Sequence, residues 1–247
     1  MPAPTIHILS TRPLAKELLD QGRARGIAIE ALSFIETETA IDATLAQHIR
    51  RLSRQPIIAV FTSMNAVEAV AQYLPDPRWR IFCIGAATRE LVSDHFGEDR
   101  IEGTAPSALA LADMIVARME RNALPEVFFF CGDQRRDELP DRLKDASIMV
   151  NEIVVYHTRP TPHKIKNSYD GIAFFSPSAV HSFFAINTVP HSTVLFAIGT
   201  TTADAIRTYT SNRTIVSTAP EKQALIRQAI DYFQTDNTTD TEQKNHE

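Results

Sequence analysis

Small hydroxyl residues stand where extended apolar runs give way to helical ones. Ser63 follows the run ending at Phe61 in FTSMNAVEAV (61–70). Ser176 follows Phe175 in FFSPSAVHSFF (174–184), with Ser178 two places on. Thr88 follows the run in FCIGAATREL (82–91), and Thr201 and Thr202 follow the one in FAIGTTTADAI (196–206). A hydroxyl at such a corner caps a helix start, where backbone N–H groups are unpaired and carry partial positive charge. Sites of this kind hold carboxylates or phosphates. The chemistry they suit is recognition of a small polyanion by N–H and O–H donors.

Other chemistries lack their residues. No Gly-x-Gly-x-x-Gly follows the first strand, no Gly-x-x-x-x-Gly-Lys-Ser/Thr loop exists, and there is no Gly-x-Ser-x-Gly elbow. The eight histidines are scattered without metal-ligand spacing, so no metal site is expected. His181, alone on its helix, reads as structural. With no nucleophile–base pair in view, an enzyme built this way would work mainly by holding a reactive substrate in shape.

The elements that place these corners alternate. Strands are expected at 6–10, 28–35, 57–62, 80–84, 126–131, 148–156, 171–176, 193–198 and 213–217. Helices are expected at 13–25, 38–53, 64–74, 87–96, 106–121, 136–144, 178–186, 201–210 and 220–233. That alternation is α/β with mainly parallel sheets. The corners also recur: Ser63 answers Ser176, Gly85 answers Gly199, and Thr-Ala-Pro at 104–106 answers Thr-Ala-Pro at 218–220, always 113 or 114 residues apart. A constant offset across three motifs reads as an internal duplication of one α/β unit. Local signals sharpen the corners. Ser176-Pro177 is a helix start, Thr218 with Glu221 reads as a capping box, and Thr104 with Ser107 as a weaker copy. Gly85 and Gly199 are expected to supply dihedrals that other residues avoid.

Composition narrows the partners. In 247 residues, 44% are hydrophobic and 22% charged, with a net charge of -5. A broad nucleic-acid or membrane surface would need clustered positive charge. Cys83 and Cys131 each sit in an apolar run and read as reduced core thiols. The opening MPAPTIHILSTRP lacks the pattern of an export signal and no apolar run reaches a membrane span, so a cytoplasmic setting is expected. The end, TDNTTDTEQKNHE, has no apolar residue and reads as a disordered tail.

Taken in order, FTSMNAVEAV, FCIGAATREL with AIGTTTADAI, GDQRRDELPDRL (132–143), VVYHTRP (154–160) and FFSPSAVHSFF resemble uroporphyrinogen-III synthase over about residues 6–232. The resemblance implies two similar parallel-sheet lobes, a duplicated unit, joined by a two-stranded antiparallel linker, with the repeated corners facing one cleft. Lobe 1 would take 1–31 and 161–233, the linker strands 32–38 and 153–160, and lobe 2 39–152, with 234–247 as the tail. It implies cyclisation of the linear tetrapyrrole hydroxymethylbilane with loss of water and inversion of ring D, and without a cofactor or metal. A monomer is expected, with transient contact with hydroxymethylbilane synthase.

The same resemblance implies residue roles. Tyr156 matches a linker tyrosine turned toward the cleft, and a phenol can donate to a leaving oxygen. Thr88, Thr201 and Thr202 match threonines that would bind carboxylates, alongside the hydroxyls of Ser63, Ser176 and Ser178. Arg12 and Arg136 match basic positions after the first strand of each repeat, where a guanidinium can take a carboxylate in two-point contact. Lys222, after the second Thr-Ala-Pro, is a further candidate. The competing readings are a non-catalytic bilobed α/β protein that binds a small polyanionic ligand, and a degenerate synthase with a structural role.

Overall fold

A computed structural model describes residues 6–74, 76–119, 126–219 and 221–243, with side chains through residue 234. The chain divides into two units. The first takes the described residues up to Glu36 and from Arg159 onward, and the second takes Thr37–Thr158. The path opens in the first unit with β1 (Ile6–Ser10), α1 (Lys16–Ala24) and β2 (Ile27–Ala31), and leaves along β3 (Ile35–Thr39). The second unit follows with α2 (Ala43–Ser53), β4 (Ile58–Phe61), α3 (Met64–Ala71), β5 (Arg80–Ile84), α4 (Gly85–Phe96), β6 (Ile101–Ala105), α5 (Ala108–Met119), β7 (Glu126–Gly132) and α6 (Glu138–Asp145). The chain returns along β8 (Met149–Pro160). It ends with β9 (Gly171–Phe174), α7 (Pro177–Phe184), β10 (Val194–Ala197), α8 (Thr200–Arg207), β11 (Thr214–Val216) and α9 (Lys222–Gln243).

The first unit's sheet runs β11-β10-β9-β1-β2, and every printed pair is parallel. The second unit's sheet runs β3-β8-β7-β4-β5-β6, parallel from β8 to β6. With β7 and β8 in the places of β1 and β2, the two orders coincide. The spans agree as well: β4 and β9, and α3 and α7, are each displaced by 113 residues. β3 lies against β8 in the opposite sense. The Ala40 amide donates to the Val155 carbonyl and the Thr161 amide to the Phe34 carbonyl, both at 3.0 Å, so partner numbers fall as residue numbers rise.

The central strands are buried on both faces, and alternate side chains point to opposite sides of each sheet, which explains the layering. In the first unit Leu9, Phe174 and Leu195 meet Val180, Phe183 and Ile206 of α7 and α8, while Ile8, Ala173 and Phe196 meet Leu18 of α1 and Leu225 and Ile226 of α9. In the second unit Ala59, Phe61 and Phe130 pack under α2 to α4, and Val60, Phe82 and Phe129 under α5 and α6. Each such buried Val, Leu, Ile or Phe side chain contributes about 1.5–3 kcal/mol. Trp79 is buried on Phe130, 5.0 Å between ring centres, and its indole N–H reaches the Leu52 carbonyl at 2.9 Å. That contact satisfies its one polar atom.

Several expectations need correction. The single strand expected over 28–35 is two, because pairing breaks over residues 32–34 with a bend at Phe34, where the Ser33 hydroxyl donates to the Ile35 carbonyl at 2.6 Å. Fully buried Phe34 then packs edge-on against Phe183. β6 was not expected at all. Its sequence IEGTA has weak strand preference, and Gly103 is there for space: a Cβ would sit 2.4 Å from the Met114 sulfur. Thr218 is not the cap of α9, which starts at Lys222. Gln228 instead ties that turn, accepting from the Thr218 amide and donating to the Val216 carbonyl, each at 3.2 Å. Ser107 caps α5 through the Ala110 amide, whereas Thr104 faces the Cys83 sulfur. Gly85 has φ +71 and needs glycine, but Gly199 has φ -169, which any residue adopts. α9 continues to Gln243, through much of the stretch read as a tail. Once nucleated, a helix gains a backbone bond with each added residue even without an apolar face. The last residues of that stretch, 244–247, lie outside the described residues.

Candidate functional site

In an open parallel sheet, ligands meet the carboxyl ends of strands where the order reverses. In the first unit that point lies between β1 and β9, and in the second between β7 and β4.

At the second unit's reversal, Ser63 is the N-cap of α3. Its Oγ accepts from the Asn65 amide at 3.2 Å and from the Tyr156 hydroxyl at 3.1 Å. Tyr156 comes from β8, two strands away, and reaches Ser63 by lying across the end of β7. Gly132 makes that possible. A Cβ there would stand 2.5 Å from Cζ of the tyrosine ring and 2.8 Å from its hydroxyl. Tyr156 is half-buried. Thr88 lies in the first turn of α4 and is buried, which leaves its hydroxyl little exposure. Arg136 is exposed in the loop before α6. Its neighbour Arg135 is committed to structure: it binds both Glu152 and Asp137, and the Asp137 bond, then the one to Glu152, raise its pKa against the opposing effect of burial.

At the first unit's reversal, the Thr11 hydroxyl donates to the Ala173 carbonyl at 2.9 Å and clamps β1 to β9. Ser10 Oγ donates to the Arg12 carbonyl at 2.6 Å, fixing the turn from which exposed Arg12 projects. Ser176 caps α7 through the Ala179 amide at 3.2 Å, and its Oγ is also 3.2 Å from that of Ser178. Thr201 is exposed and Thr202 buried in the first turn of α8. Lys222, at the start of α9, donates to the Pro13 carbonyl at 3.3 Å. Partial burial pulls its pKa down, and the nearby Arg12 charge adds to the effect. Two positive charges at this end of β1 suit an anionic ligand.

The predicted residues therefore gather in two sets: Ser63 with Tyr156, near the carboxyl ends of β4 and β7, and Arg12 with Lys222, beyond β1. Sequence reasoning missed Gly132 and the residue after it, Asp133. A strand-ending glycine is a known mark of close approach, but its partner ring is on another strand. Among the described residues no group of three or more His, Cys, Asp or Glu side chains could hold a metal ion. Among the same residues, no helix is long and apolar enough to cross a membrane.

Two doubly wound parallel units with hydroxyl-capped helix starts at their order reversals define an α/β class suited to anionic ligands. The sequence model described as Uroporphyrinogen-III synthase HemD matches residues 16–227, and the chain belongs to the uroporphyrinogen-III synthase family, lyases of tetrapyrrole biosynthesis. Solved structures agree in fold. The synthase of Helicobacter pylori superposes with a TM-score of 0.64 at 16% identity, over 92% of this chain and 99% of that one. A mutant synthase from Thermus thermophilus gives 0.59 at 13% identity, over 92% and 98%.

Proposed function

We propose that this chain closes hydroxymethylbilane to uroporphyrinogen III, and that Tyr156 assists departure of the hydroxyl. The observation that carries the proposal is the phenol held by Ser63 at the order reversal of the second unit's sheet. Electron release from the pyrrole nitrogen breaks the C–O bond, and the departing oxygen takes a proton to leave as water. Ring closure through the substituted ring-D carbon then gives a spiro intermediate, whose rearrangement inverts ring D. Unassisted closure would give the uninverted isomer, so catalysis is largely control of substrate shape.

Hydroxyl protons rotate. With the Asn65 amide already on its oxygen, Ser63 can turn its own proton toward the phenol oxygen, which frees Tyr156 to donate outward. Substrate carboxylates suit the exposed and half-buried donors, Arg12, Lys222, Ser176, Ser178 and Thr201 in the first unit and Arg136 in the second, whereas buried Thr88 and Thr202 have little hydroxyl to offer. The reaction needs no cofactor or metal in this reading, and its setting is the cytoplasm. A monomer, in transient contact with the enzyme that supplies its substrate, completes the proposal.

The test is a coupled assay. Hydroxymethylbilane is made in place from porphobilinogen by its deaminase, the protein is added, and the oxidised products are separated. The expected result is a type III excess that depends on the protein. Type I alone, from a folded protein, would rule the reading out and favour a polyanion-binding role.

A further inference from the structure

Nothing in the alternation of β8 by itself puts Tyr156 over Gly132. β7 and β8 pair in simple register from Glu126 with Met149 to Cys131 with Val154, then slip by one residue so that Gly132 faces Tyr156. Without the slip Gly132 would face Val155, which is fully buried in the core. A one-residue slip exchanges which side chain occupies a given face. The placement of the phenol therefore depends on whatever holds the slip.

Asp133 supplies that hold. Its amide donates to the Tyr156 carbonyl at 3.2 Å. Its Oδ1 accepts from the Thr158 amide at 2.9 Å, and its Oδ2 lies 3.3 Å from Nδ1 of His157. One residue thus takes the backbone groups on both sides of the segment, and its carboxylate continues the strand pairing where β7 has ended. The Gln134 side-chain amide adds a bond to the Thr158 carbonyl at 3.2 Å.

We propose that Asp133 is a positioning residue for Tyr156. Its carboxylate, bound by the Thr158 amide and 3.3 Å from the His157 imidazole, keeps β8 slipped by one residue at Gly132 and so keeps the phenol on Ser63. This inference rests on the catalytic reading of Tyr156.

The test is a double-mutant cycle in the coupled assay, using Asp133→Ala, Tyr156→Phe and the pair, with Asp133→Asn as the conservative variant. Loss of a charge-assisted bond that positions a reacting group is expected to lower kcat by roughly tenfold in Asp133→Ala, with KM within about twofold of wild type. Asp133→Asn keeps an oxygen for the Thr158 amide and should recover part of the rate. In the Tyr156→Phe background the Asp133→Ala change should cost little more, because both act through one phenol. Three results overturn the inference while leaving Tyr156 in its role: Asp133→Ala at wild-type kcat while Tyr156→Phe is impaired, full additivity in the double variant, or a loss expressed only in KM. Wild-type turnover by Tyr156→Phe would sink the catalytic reading itself, and this inference with it.

Discussion

The corners at Ser63 and Ser176 are the same piece of structure used in two ways. Each serine is extended and caps a helix of eight residues, and the strand before each has four buried residues. Ser176 spends its second contact on Ser178, two residues away. Ser63 spends it on Tyr156, 93 residues away. The cause is the flanking strand. In the first unit β2 stops at Ala31, whereas its counterpart β8 runs for 12 residues and carries a tyrosine over a glycine. A repeated fold supplies the same hydroxyl twice, and a longer neighbouring strand gives one copy a phenol. Of the candidate cations, Arg12 and Lys222 lie in the first unit and Arg136 in the second. In the proposed reading, leaving-group chemistry falls to the second unit and the paired cations that would bind an anion to the first.

Gly132→Ala should have the largest effect on that contrast. The added Cβ cannot coexist with the tyrosine ring, so the ring must move off Ser63. We expect kcat to fall by about a hundredfold, the scale of a lost general acid. Overpacking should also cost about 1–3 kcal/mol of stability, read by denaturant unfolding. Retained turnover would break the assignment of the phenol. Next, Ser63→Ala and Ser176→Ala should each cost about 1 kcal/mol as lost caps. Only Ser63→Ala should also lower kcat, by several-fold, because only that serine holds the phenol. Equal kcat values in the two variants would erase the distinction.

Lys222→Met should raise KM several-fold and leave kcat unchanged. Because burial and Arg12 lower the pKa of Lys222, the folded protein binds that proton less tightly than the unfolded chain. The resulting cost to stability is full below the folded pKa and fades as pH rises to the ordinary lysine value. Wild-type stability should therefore gain with pH in that alkaline window, and Lys222→Met should lack the gain. Smallest is Ser182→Ala. Ser182 is buried in α7 with an unpartnered hydroxyl, and the residue 113 places earlier in α3 is Ala69. Removing a buried unsatisfied hydroxyl should stabilise the first unit by about 1 kcal/mol, seen as a raised unfolding midpoint with activity unchanged.

Much of this was legible in the residues because the signals are local. Ser176-Pro177 marks a helix start on its own, and the buried runs IAVF and GIAF announce strands without their neighbours. The 113-residue offset also carries a strand signal, since moving the expected strand 213–217 back by that distance lands on 100–104, which overlaps β6. What could not be read depends on contacts across the sheet. Arg135 and Arg136 are adjacent and alike, and only folding shows that Arg135 is consumed by Glu152 and Asp137. The slip that sets Tyr156 over Gly132 belongs to the pairing of two strands and has no signature in either. Hydroxyl type at Thr88 and Thr202 was visible, but their burial was not.

The central claim is that Tyr156 acts on the leaving hydroxyl from the second unit. It is tested most directly by single-turnover closure of deaminase-generated hydroxymethylbilane with wild type and Tyr156→Phe, both confirmed folded. The account predicts that Tyr156→Phe slows closure by roughly tenfold to a hundredfold, a partial loss on the scale of one proton donor. KM should stay within about twofold, and type III should remain the product of whatever turnover persists. A wild-type rate from Tyr156→Phe would contradict it.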